Sequence, residues 1–513
     1  MGSRLRFVRP SPAKATTIEL RSAAQRSINL AFLLVTGLAA TSSCGTKVDT
    51  VAYGVLENVS GGTASALGGQ GGAPAAGSTN GGTSAGDGGA SAGEAGQTGS
   101  AGQAGSGGNP TGCADGYPRI ARTSASGVSG VRCVGSFARE RMSYALCSAG
   151  DLDVPGRIDT DAFDSTSGSS ASGAAAVGAN GEYLGELSPM IGGSLTIASD
   201  NPLLLPGLDV HGDLRMRGTL RTSGPIRVAR DAWFAESVVS LTSARVERDV
   251  HIAPGKVMEG FLDEDVGGRV IREAFEIPLP CGSASDSTEL TNVIANAAAE
   301  NDNALIGLAS DTLAIPSQAV DLVLPCGRFY ATAIGGNRDV RLRVTGRAAL
   351  FVAGDVTSSG KLHIDLATGA ELDWFVGGRL APSDIGVWGS VTRPAALRIY
   401  VAGTGPISVP RSSVFGNLYA PNADVVLSGI GDFHGSLSAR SLRSLTDITV
   451  HYDVAVQRAA DGCTEEVPSD CTNCGDCPGG QACVQGRCVS CGSDADCCVP
   501  FVCNAGRCSA FAE

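Results

Sequence analysis

Between Leu208 and Ile252 the chain reads LDVHGDLRMRGTLRTSGPIRVARDAWFAESVVSLTSARVERDVHI. Apolar or small residues recur at every sixth position: Leu214, Leu220, Ile226, Ala232, Val238, Ala244 and Val250. A companion register two positions later holds Met216, Thr222, Val228, Phe234, Ser240, Val246 and Ile252. In-out-in alternation within each short piece is the period of a strand, not of a helix. An echo at three times the basic interval runs through the same stretch, in Val210, Val228 and Val246 and in Asp213, Asp231 and Asp249. A short side used three times per turn predicts the three-sided rung of a triangular parallel β-solenoid. Such rungs pair with their neighbours and bury one continuous apolar column.

Outward from this stretch the pattern loosens without vanishing. Leu350-Phe351-Val352-Ala353-Gly354 is echoed by Trp374-Phe375-Val376-Gly377-Gly378, then by Ile399-Tyr400-Val401-Ala402-Gly403 and Leu418-Tyr419-Ala420-Pro421. The step from Phe351 to Phe375 nearly equals that from Phe375 to Tyr400, and the step on to Tyr419 is shorter. Fixed strand pieces at variable steps predict rungs with loops at their corners. One helix interrupts them, with Ser287 placed to cap it and Leu290, Val293, Ile294 and Ala297 on one face. It is expected to cover a side or an end of the stack. The predicted class is all-β: a solenoid body over 113–460 with one short helix.

The chain of 513 residues carries 71 glycines, 17 % charged and 5 % aromatic residues. That composition does not fit a globular enzyme spread evenly along its length. Much of the glycine lies in 59–112, where Asp87 and Glu94 are the charges and no aromatic residue occurs. Such a segment buries too little apolar area to offset chain entropy, so it reads as a disordered linker. As a coil its ends would stand about 40 Å apart. A net charge of −13 excludes nucleic acid as the expected partner.

The N-terminus reads as an address. Arg4, Arg6, Arg9, Lys14, Arg21 and Arg26 precede an uncharged run, Ile28 to Ala40, and then Thr41-Ser42-Ser43-Cys44. As a helix that run reaches about 20 Å, short of the roughly 30 Å hydrocarbon core, so a signal sequence over 1–43 is expected rather than a spanning helix. Its small-small-Cys ending resembles the lipobox of bacterial lipoproteins, with Thr41 where that family usually has Leu. The resemblance implies lipidation at Cys44, a membrane partner through that lipid, and an outer-membrane or cell-surface location in a Gram-negative bacterium. Cleavage there would remove six basic side chains and one acidic one, leaving the rest of the chain more acidic still.

Seventeen cysteines against five histidines point to an oxidising compartment. Without Cys44, five remain in the body and eleven from Cys463 onward. Both numbers are odd, so full pairing needs a bridge between body and tail, with Cys463 the natural candidate. Cys281 and Cys326 share the local sequence Leu-Pro-Cys-Gly and are expected to pair. Cys113, Cys133 and Cys147 would then supply one local bridge and the partner of Cys463. The dense tail, 461–513, predicts a small disulfide-rich module. Zinc on Cys471, Cys474 and Cys477 is the rival, disfavoured by a tail without histidine. The doublet Cys497-Cys498 within Cys488, Cys491, Cys503 and Cys508 resembles knottins. That resemblance implies Cys488–Cys498, Cys491–Cys503 and Cys497–Cys508; the residues alone leave fifteen pairings open.

Three constellations are candidates for chemistry. The Asp213, Asp231, Asp249 column would form a ladder at about 4.8 Å spacing that suits Ca²⁺, or else each Asp turns a corner and bonds its own backbone. His434 and His451, with Asp432 and Asp453, have metal-ligand character, or are separate corner residues. Ser436 and Ser438 lie near His434, but no Gly-x-Ser-x-Gly surrounds them. Tyr330, Trp374, Trp388 and Tyr400 could stack on sugars, with burial the plainer reading. No phosphate loop and no HExxH occur. No cofactor is called for.

Cys326-Gly327-Arg328-Phe329-Tyr330, Leu350 to Asp355, Arg398-Ile399-Tyr400, Asn417 to Ala423 and His451-Tyr452-Asp453 resemble an uncharacterised bacterial surface domain of exported, pilus- or polymer-associated proteins. The sixfold pattern of 208–256 looks like that of bactofilins, polymer-forming β-helix proteins of the cytosol. Neither resemblance supplies a catalytic residue. The expected function is therefore structural or adhesive and non-catalytic, with an extracellular polysaccharide or an envelope protein as partner. The rivals are a carbohydrate-active β-helix enzyme and a binding effector carried by the cysteine-rich tail. A cleft of clustered carboxylates beside a base would favour the enzyme.

Overall fold

The sixfold register becomes a ring of short strands in the computed structural model. Leu214–Met216, Leu220–Thr222 and Ile226–Val228 form the three sides of one rung, and the first and third residue of each strand point inward and are buried. Pairing is parallel, and each residue faces its equivalent one full turn later: Leu208 faces Ile226, Leu214 faces Ala232 and Leu220 faces Val238. Thr222 and Ser240 also point inward, and each offers its hydroxyl to a nearby backbone carbonyl, so their polarity is satisfied inside the column. The structure describes residues 113, 116–123, 129–282, 285–410, 413–429, 431–464, 481–484, 487–493, 496–497, 501–504 and 507–510. The address, Cys44 and the glycine-rich linker lie outside them, as do Cys471, Cys474, Cys477 and Cys498.

The order of strands departs from simple winding. Along one sheet it runs Val270–Arg272, Val250–Ile252, Ala232–Phe234, Leu214–Met216, Leu195–Ile197, Val177–Ala179 and Leu146–Ser148. It then continues through Leu437–Ser444, Asn417–Ser428, Leu397–Val401, Glu371–Val376, Arg347–Val352 and Gly327–Ala331. The first rung thus lies in the middle of the stack. The chain winds from there to one end at Arg272, crosses to the other end, and winds back from Val320 until its last rung meets its first. At this seam Ile448–Asp453 pairs along its length with Ile158–Asp164, and Leu437, Ser438 and Ala439 pair with Leu146, Cys147 and Ser148.

The second half of that sheet is covered. The helix Ser285–Ala297 lies along it with Leu290, Val293, Ile294 and Ala297 buried. The helix begins at Ser285, which places Ser287 within its first turn rather than at the cap. A short helix, Ser136–Arg141, sets Phe137 edge-on against Phe375 and Tyr400, at 5.6 and 5.9 Å. Beneath, Phe351, Phe375 and Tyr400 stack rung on rung at 4.9 and 4.6 Å. Tyr419 follows in the same register. The cover is also tied by charge. Arg398, wholly buried, meets both oxygens of Asp373 at 2.7 and 2.8 Å and Glu371 at 2.9 Å. Burial pushes the Glu371 carboxyl up, but Arg398 and Arg347 outweigh it and hold it below the ordinary value. Arg132 and Arg141 both bind Glu289 on the long helix, at 2.8 and 2.5 Å.

Disulfides follow this topology. Cys147 bonds Cys281, Cys113 bonds Cys326 and Cys133 bonds Cys463. The expected Cys281–Cys326 pair does not form. Cys281 sits on the first rungs, where Asn180 brackets it with two hydrogen bonds at 3.0 Å. Cys326 precedes the strand Gly327–Ala331 at the end of the sheet, six strands from Leu146–Ser148. Six spacings are about 29 Å, several times the reach of a disulfide. In the tail, antiparallel hairpins Ala482–Val484 with Arg487–Val489 and Phe501–Asn504 with Arg507–Ala510 accompany bonds Cys491–Cys503 and Cys497–Cys508. The third knottin-like bridge, Cys488–Cys498, lies outside the described residues.

Candidate functional site

The second sheet is open. Twelve parallel strands run from Ala244–Val246 at one end to Val320–Leu324 at the other. Eleven spacings make it about 53 Å long. Its outward residues are mostly exposed and many pair between or along rungs: Arg343 with Asp321, Arg341 with Asp365, Arg157 with Asp159 at 2.6 Å. At the seam a ring ladder replaces the charges. Phe415, His434 and His451 occupy successive strands and stand side by side. His451 Nδ1 lies 2.8 Å from Asp161 Oδ1 and its Nε2 3.4 Å from Asp432 Oδ2. Beside it opens a hollow of about 630 Å³ lined by Asp432, Asp447, Thr449 and Leu445 among others.

This brings together three of the four residues singled out around His434. Asp453 is not among them. Its buried carboxylate accepts the backbone N–H groups of Ser165, Ala395 and Ala455, at 3.0, 3.0 and 3.1 Å, and so knits the corner. Asp161 is the member that sequence reasoning missed: it is far from His451 along the chain, and only the meeting of first and last rungs makes them neighbours. Ser436 is buried and donates to Asn417 Oδ1 at 3.0 Å, with no base beside it in the manner of a nucleophile. Trp374, Tyr400 and Trp388 are buried, so they fill the body rather than a sugar platform.

The aspartate column is a set of corner devices. Asp231 Oδ1 accepts the N–H of Asp249 at 3.0 Å, one rung on, and Asp249 Oδ1 accepts that of Arg269 at 2.8 Å. Asp213 binds Arg215 at 3.0 Å and gives its own N–H to Ser194 Oγ. The N–H of Arg269, first of all, holds the Asp249 carboxyl below the usual range. The same device recurs at Asp339 with Lys361, Asp355 with Arg379, Asp151 with Glu182 and, across the seam, Asp447 with Arg157. A glycine precedes each of these four N–H donors because the corner is tight: a Cβ on Gly378 would lie 2.4 Å from Asp355 Oδ1. In place of the Ca²⁺ reading, Asp231 and Asp249 cap backbone of the next rung rather than their own, and Asp213 pairs with Arg215. Among the described residues, the ligand atoms that converge within 4.8 Å are those of Cys491, Cys497 and Cys508, whose sulfurs are already in disulfides.

Residues 282–459 match a family model described as a domain of unknown function, DUF7305. No curated protein matches the chain. One solved structure is similar, an ice binding protein from an Antarctic bacterium of the Flavobacteriaceae. It is 14 % identical, covers 60 % of this chain and 80 % of its own, and superposes with a TM-score of 0.19.

Proposed function

We propose that the chain is an exported bacterial surface lipoprotein with a structural or adhesive role, whose open face docks an extended extracellular polymer, in the first instance a polysaccharide. The observation that carries this is the asymmetry of the faces. One sheet is sealed over its second half beneath two helices and buried ion pairs, while its neighbour presents twelve parallel strands whose outward side chains are mostly exposed. A rigid surface about 53 Å long with rung-spaced polar groups suits a repeating ligand better than a small molecule. Of the carboxylates that an enzyme reading would recruit, Asp231 and Asp249 already accept backbone N–H groups at the corners and Asp213 pairs with Arg215, which favours binding over turnover along that column. The basic start, short apolar run and Cys44 support the anchor, and the glycine-rich segment supports a tether between anchor and body.

The test is a glycan and cell-wall array probed with the full chain, with reducing-sugar release measured in parallel. Retention of one polymer class without released sugar is the expected result; release of product would replace the reading with an enzyme. Cys44→Ala should move the protein from the membrane fraction to the medium, and unchanged retention would remove the lipid anchor from the proposal.

A further inference from the structure

The seam ladder has charge requirements that the polymer-docking surface does not explain. Asp161 belongs to the first rung, whereas Phe415, His434, Asp432 and His451 belong to the last ones. The contact between His451 and Asp161 therefore closes the solenoid on itself. A neutral imidazole carries one N–H and one lone pair. His451 stands between two carboxylates, in hydrogen-bond contact with Asp161 through Nδ1 and within ion-pair range of Asp432 through Nε2. His434 stacks on that ring at 4.6 Å and 26°. Burial first, and then the charge of His451, holds His434 below its ordinary 6.5, against the pull of Asp432 and Asp161. Two charged rings at this distance repel each other.

The surroundings contain few other charges. From the first rung, Asp159 is paired with Arg157 at 2.6 Å. On the strand of His451 itself, Asp453 faces backbone donors. The strand Val414–Phe415 contributes a phenyl ring, and Met190 is the outward residue on the rung beyond Asp159. The groups that face His451 are thus His434, Asp432 and Asp161.

We infer that this ladder is an acid-released latch: the stacked rings of His434 and His451 join the last rungs to Asp161 of the first, and charge on both rings opens the seam locally. A histidine that resists protonation in the folded state costs stability in acid. The loss begins as pH falls below the ordinary histidine value and is complete below the depressed one. Cys133–Cys463, which joins the segment before the first rung to the one after the last, persists through the opening, so the halves remain tied.

The test is amide hydrogen exchange on the full, oxidised chain at pH about 7 and about 5, on either side of the ordinary histidine value, corrected for intrinsic exchange. In the wild type, protection over 158–163 and 448–453 should fall severalfold in acid, while Leu220–Thr222 stays unchanged. His434→Phe extends the Phe415 stack without a titrating ring and should keep its acid protection; His434→Gln should do the same if the phenyl ring packs poorly. Asp161→Asn should lower seam protection at both pH values. A pH-independent seam in the wild type, an equal acid loss in both His434 variants, or a loss spread evenly over distant rungs would overturn the latch.

Discussion

From Leu208 to Ile252 every rung has the same length and its strands are short; from Val320 to Asp453 the rungs are longer and unequal, and most of their strands are nearly twice as long. The longer strands widen the triangle, and a wider triangle needs larger fill. Trp374 and Trp388 meet edge-to-face at 5.3 Å in the second half, where the first half manages with Ala232, Ala244 and Val238. The outward side differs as much. On the shared sheet the second half presents Arg398, Tyr400 and Phe375, all sealed under the helices, whereas the first half presents Arg215 and Trp233, stacked at 4.4 Å and partly exposed. One architecture thus supports two regimes. A narrow rung is self-sufficient because its corners cap themselves. A wide rung also leans on a cover, which imports helices, buried charge and long-range disulfides.

The contrast is broken most directly by removing one arginine from each half. Arg398→Ala strands Asp373 in a dry interface and leaves Glu371 with Arg347 alone, and unpaired buried charge costs about 3–5 kcal/mol. Arg215→Ala removes a half-exposed partner of Asp213 and Trp233 and should cost about 1 kcal/mol or less. Chemical denaturation of both variants measures the difference, and equal losses would mean that the cover does not carry the second half. The strap comes next. Replacing Cys147 and Cys281 together by Ser frees a loop whose ends are 134 residues apart, with an expected loss of about 2–5 kcal/mol. The same denaturation series checks it, and exchange should rise first along 273–282, where the strap lies.

This contrast also decides what could be read without coordinates. The narrow rung was legible because a small triangle leaves no room for insertions: every residue from Leu208 to Ile252 has a fixed side or corner role. The Phe351, Phe375, Tyr400, Tyr419 series was legible for a related reason, since an aromatic ladder tolerates variable corners while its strands stay aligned. The reversal of winding was not legible. Nothing in Ile158–Asp164 or Ile448–Asp453 names the other as a neighbour, because parallel pairing is carried by backbone and any apolar-inward strand satisfies it. The Cys281–Cys326 expectation failed on the same point, as local likeness says nothing about place in the stack. Counting cysteines needed no topology, and Cys463 does bond the body through Cys133. The corner caps were half visible: the aspartates stood out by period, but their acceptor role needed the N–H one rung later.

Those caps give the smallest effects and the finest discrimination between the halves. Asp249→Ala in the first half and Asp355→Ala in the second each remove a carboxylate that accepts one backbone N–H from the next rung. Both sites are partly exposed, so water replaces much of the bond and each loss should be smaller than that of either arginine or of the disulfide. A cap matters more where no cover shares the load, so Asp249→Ala should be the costlier of the two. The Asp249 carboxyl is held low in the fold, chiefly by the N–H of Arg269. Its contribution is therefore present above the ordinary aspartate value and drains away as pH falls through the lower folded one. The gap between wild type and Asp249→Ala should then be full at neutral pH and shrink below about pH 4, in denaturation curves taken across that range. A gap that persists in acid would assign the effect to lost packing at the corner instead of to the charge that caps it.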